Sequence, residues 1–100
     1  MAPGSNSDQE ECHALLDDLH ASLTATEELP VETTASRWLG EAQAIVTDLV
    51  DDMPESSVLA TRLEHVDRLL NEIESTEHPE AEDHLDEAIE TVGQLRERLP

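Results

Sequence analysis

One hundred residues make a single domain, and 25 of them are Asp or Glu against five Arg and no Lys, a formal net charge of −20 at pH 7. So negative a surface excludes direct binding to a phosphate backbone and disfavours anionic lipid. Self-repulsion of this size is screened at molar salt, where the Debye length falls to roughly 3 Å, so the chain is expected in a cytosol that holds molar salt.

The elements follow from apolar spacing. Residues 1–6 (MAPGSN) read as a disordered tail ahead of one domain over 7–100. Ser7, with Glu10 three residues on, forms a capping box that opens a first helix over about 8–27. Its apolar face is Cys12, Leu15, Leu16, Leu19 and Leu23. Leu29-Pro30-Val31 breaks it, and a second helix over about 32–51 carries Ala35, Trp38, Leu39, Ala42, Ile45, Val46 and Leu49 on one side. Asp51-Asp52-Met53-Pro54 is the next break, because proline is tolerated only in a first helical turn. The third helix, about 55–75, repeats Leu59, Leu63, Val66, Leu70 and Ile73. The fourth, about 79–98, repeats Ala81, Leu85, Ala88, Ile89, Val92 and Leu95.

Connections of a few residues make sequential helices antiparallel neighbours. The expected fold is therefore all-α, an antiparallel up-down four-helix bundle, with a three-helix bundle whose first helix is detached or swapped as the alternative. A Leu-rich apolar set with one Trp and neither Phe nor Tyr suits helix-on-helix packing. No run of 18 apolar residues occurs, and MAPGSNSDQEE has neither a basic nor an apolar leader region, so a soluble, cytoplasmic protein is expected, off the membrane.

The back of the second helix departs from the acidic norm. At about 100° per residue, Thr33, Ser36, Gly40, Ala44 and Thr47 fall opposite its apolar side, whereas the third and fourth helices put Glu64, Glu72, Asp83, Glu87 and Glu90 on their backs. Ser36, Gly40 and Ala44 stand four apart, a small-residue spacing that lets helix backbones approach. The stripe is expected to be a packed interaction surface, against another helix of the chain or across a homodimer. The other reading is a neutral solvent face.

Other chemical constellations are sparse. His13, Asp17 and His20 share a flank of the first helix and are weak metal candidates, set against the plainer reading of solvated side chains. A di-iron bundle needs two Glu-x-x-His pairs on separate helices, and the chain does not hold two. Helical nucleotide pyrophosphohydrolases hold Mg²⁺ on Glu-x-x-Glu pairs; Glu74, Glu77, Glu80 and Asp83 have that spacing, but Pro79 interrupts them. Cys12 is expected as a buried structural thiol and Trp38 as a core anchor. No catalytic residue, cofactor or metal is expected.

The stretch Leu29-Pro30-Val31 followed by Ser36-Arg37-Trp38-Leu39-Gly40-Glu41-Ala42-Gln43-Ala44 resembles a family of short uncharacterised haloarchaeal proteins, helical domains of unknown function, over roughly residues 14–95. The resemblance implies a halophilic origin and brings no functional residue with it. The leading functional expectation is a non-enzymatic halophilic helical module that contacts protein or itself. The alternative is a small metal- or nucleotide-handling enzyme built on helix-borne carboxylates.

Overall fold

In the computed structural model, which describes residues 3–99, four helices account for nearly all of the chain: α1 (Pro3–Glu27), α2 (Thr33–Asp51), α3 (Ser56–Asn71) and α4 (Pro79–Glu97). They pack in a ring. Each helix touches the next in sequence, α4 closes back onto α1, and among the described residues the backbones of the diagonal pairs α1/α3 and α2/α4 stay apart. This is the antiparallel up-down four-helix bundle, about 50 Å long and 20 Å across. The first helix is neither detached nor swapped: Leu16, Leu19 and Leu23 are fully buried in the common core.

The periodic residues fill that core. Leu39, Ala42 and Val46 of α2, Leu63, Val66 and Leu70 of α3, and Ala88, Val92 and Leu95 of α4 bury essentially all of their surface. Leu69, outside the expected spacing, is also buried. Burying such a side chain contributes roughly 1.5–3 kcal/mol, which the dense surface charge opposes. Polar ties cross the seams between described residues, with Gln43 and Thr24 joined at 3.1 Å between α2 and α1. Arg96 pairs with Asp67 at 3.2 Å between α4 and α3, Arg98 at the C-cap of α4 pairs with Glu11 of α1, and His20 Nε2 lies 3.1 Å from Thr47 Oγ1 between α1 and α2.

Two boundaries differ from the spacing-based ones. Helix α1 begins at Pro3, so residues expected as tail and cap continue the helix; Met1 and Ala2 lie outside the described residues. Proline lacks the N–H that a first-turn position leaves unused anyway, so Pro3 starts the helix without loss. Helix α3 ends at Asn71, four residues early. The Asn71 amide donates back to Asp67 O at 2.7 Å, and the chain from Glu72 to His78 runs on as a strap across the N-terminal end of α2. Ile73 still packs on the core, but from the strap.

The strap is fastened at Thr76, which is fully buried with every polar group paired. Its carbonyl accepts the Glu32 N–H at 2.9 Å, and its own N–H donates to Glu82 Oε1 at 2.9 Å. Its hydroxyl donates to the His78 carbonyl at 3.0 Å and accepts the His78 N–H at 3.3 Å. Glu77 then turns through a left-handed backbone, φ 58°, uncommon for a residue with a Cβ. His78 follows as the N-cap, and Pro79 opens α4.

Candidate functional site

The outer face of α2 is open within the chain. Thr33, Ser36 and Ala44 are exposed, and a Cβ built on Gly40 meets no atom within 4 Å. Packing of this stripe against another helix of the same chain is therefore ruled out, and α2 is no more central than its neighbours. The ring topology is the reason: two seams per helix use up the flanks and leave every back face outside. Thr47 is the exception, half-buried beside His20 in the α1 seam. The acid-free stretch ends at Asp51, which by rotation falls on the same side. With open space above Gly40, Gly40→Ala in the monomer is expected to stabilise by up to about 1 kcal/mol through helix propensity, seen as a higher melting temperature at low protein concentration.

The second feature is a groove of about 490 Å³ at the end of the bundle where α2 begins and the strap crosses. Ala35, Trp38 and Ile73 line its apolar part, and Glu32, Glu72, Glu74 and Glu77 line the rest, with the hydroxyls of Thr34 and Ser75. Trp38 is half-buried: it packs on the core from the flank of α2 and also borders the groove, so it is only in part the core anchor expected. Glu32 is the N-cap of α2, its carboxylate accepting the Thr34 N–H at 3.0 Å and the Ala35 N–H at 2.9 Å. These two backbone bonds, Thr34 first, hold its carboxyl below the usual range. A second groove of about 380 Å³ lies in the α1–α4 seam, lined by Asp18, Glu87 and Glu90 with Ala21, Ser22, Thr91 and Gln94, and has no large apolar wall.

The metal candidates are not brought together. Among the described residues no three His, Cys, Asp or Glu side chains gather as a cage. His13 and Asp17 are exposed, while His20 turns to Thr47. Glu74 and Glu77 belong to the strap and its groove, Glu80 and Asp83 to the first turns of α4. Cys12 is buried in the core beside the leucines of α1. No helix is long and apolar enough to cross a membrane among the described residues.

No local spacing marked the groove: the α2–α3 hairpin brings residues 32–38 and 72–77 to one end of the bundle, but the strap that walls the groove leaves the helical pattern after Asn71. The one available signal was Trp38, a lone large aromatic among small aliphatics.

Fold and surface together define a four-helix bundle with an acidic exterior, one neutral helix back and one apolar-floored groove at its end. Residues 15–99 match the family described as Domain of unknown function (DUF8152), and the chain belongs to that family. No curated protein and no solved structure matches the chain.

Proposed function

We propose that the chain is a non-enzymatic helical module of a salt-in, haloarchaeal cytoplasm, and that it works by protein contact, pairing with a second copy of itself through α2. One observation carries the reading: the open space above Gly40, flanked four residues away on each side by the exposed Ser36 and Ala44. Two chains of charge −20 repel each other almost everywhere. They repel least where the surface holds no acid, and between Thr33 and Thr47 the back of α2 holds none. About a two-fold axis through Gly40, Ser36 of one copy meets Ala44 of the other, the self-complementary pattern such an axis requires. Small residues there allow the close backbone approach that replaces a greasy patch. Among the described residues Val58, on α3, is the only large apolar side chain that stands exposed. The charge and the absence of Lys support the habitat.

Light scattering in several molar KCl tests the pairing. Wild type is expected at the mass of two chains. Gly40→Glu is expected at the mass of one, with helicity unchanged because the new Cβ meets no atom of the described residues within 4 Å. Gly40→Ala should split in sign, stabilising the dilute monomer while weakening association by about 1–3 kcal/mol through overpacking. A wild type that stays monomeric at every concentration, or a Gly40→Glu variant of unchanged mass, refutes the reading.

A further inference from the structure

We propose that the groove between the start of α2 and the strap over residues 72–78 is a docking site for an arginine-bearing, partly apolar peptide segment of a basic protein partner. The proposal rests on a different surface from the α2 back and does not depend on self-association.

Charge complementarity selects the occupant. Four of the nine lining residues are glutamates, and among the described residues no Arg or His lines the groove. Glu32 is already engaged by two backbone N–H groups of α2. Glu72, Glu74 and Glu77 are exposed and carry the attraction. Acids alone would not distinguish this place in so acidic a chain, and the seam groove at Asp18, Glu87 and Glu90 is acidic too. What differs is the floor. Here Trp38 and Ile73 line the groove, whereas the other has no large apolar wall.

A tryptophan beside carboxylates favours guanidinium over ammonium. Arg is planar, weakly hydrated and stacks on aromatic rings, and cation–π contacts are strongest on Trp. The apolar contact also survives the salt that screens the charges. A second copy of this chain is a poor occupant: three of its five Arg are already in ion pairs, with Glu64, Asp67 and Glu11.

Because Trp38 is the only aromatic residue, its emission reports the groove directly. The test titrates a short synthetic peptide alternating Arg and Leu into the folded protein over a series of KCl concentrations. It is repeated in the Gly40→Glu background, so that failure of the pairing and failure of the groove are told apart. A saturable one-to-one change in Trp38 emission is expected, with none from the same peptide carrying citrulline in place of Arg. The triple variant Glu72→Gln, Glu74→Gln, Glu77→Gln is expected to bind about tenfold more weakly, as three exposed charge contacts would give. The matched variant Asp18→Asn, Glu87→Gln, Glu90→Gln should bind within about twofold of wild type, since exposed charges more than a Debye length away are screened. Circular dichroism confirms that both variants are folded. Equal losses in the two variants, a response that never saturates, or equal binding of the citrulline peptide would each overturn the proposal.

Discussion

Helicity measured by circular dichroism is expected to rise steeply as KCl is raised from about 0.1 M to a few molar, the range over which the Debye length falls from about 10 Å to about 3 Å. The cause is arithmetic of charge. Five Arg cannot neutralise 25 acids, and three of them already sit in ion pairs with Glu11, Glu64 and Asp67. Whatever is left repels across a bundle only 20 Å wide, so folding brings like charges closer unless salt screens them. Mild acid in low salt should partly replace KCl, because protonated carboxylates no longer repel.

Glu32 sets a limit on that rescue. Its carboxyl is held below the usual range by the N–H groups of Thr34 and Ala35. The stability it adds is therefore fully present above its ordinary unfolded value, and is lost as pH falls through the lowered folded one. Helicity in low salt is thus expected to pass through a maximum as acid is added. A chain equally helical and equally cooperative at low salt and neutral pH would contradict the charge account.

Leu19→Ala is expected to cost about 2–5 kcal/mol, the range for truncating a fully buried leucine. Against a total of roughly 5–15 kcal/mol for a native domain, that is a large share. Leu19 lies on α1 with no exposed surface, inside the one core shared by all four helices. Denaturant unfolding in several molar KCl should keep a single transition and move its midpoint down. The variant discriminates well, since a bundle that held α1 loosely would lose helix only from that segment and leave the main transition in place. A midpoint within the error of wild type would show that α1 is not integral to the core.

The periodicity of the sequence carried most of this architecture, because a helix that buries one face must repeat its apolar residues at the helical interval. Ile73 shows where that logic stops. It continues the spacing of Leu59, Leu63, Val66 and Leu70, yet it reaches the core from a strap whose path is set by the Glu32–Thr76 backbone bond. A bond between residues so far apart leaves no local pattern. Thr76 was hidden for a different reason: a threonine is buried without cost only when it is satisfied, and its near neighbours His78 and Glu82 satisfy it through a turn that no helical spacing announces. The α2 stripe was visible as a lack of acid, but whether anything covers it depends on how the helices close. The ring leaves it outside.

That ring has one seam unlike the others. Three join helices linked by short loops, whereas α1 and α4 meet across the whole intervening chain. Closing a loop roughly tenfold longer costs about 2 kcal/mol more entropy. The same seam brings together the two most acidic helices, with six and seven carboxylate residues in α1 and α4 against three and two in α2 and α3. Both penalties fall on one line of contact. As salt is diluted, hydrogen exchange should therefore quicken most steeply along that clasp, although its packing is the most extensive of the four seams.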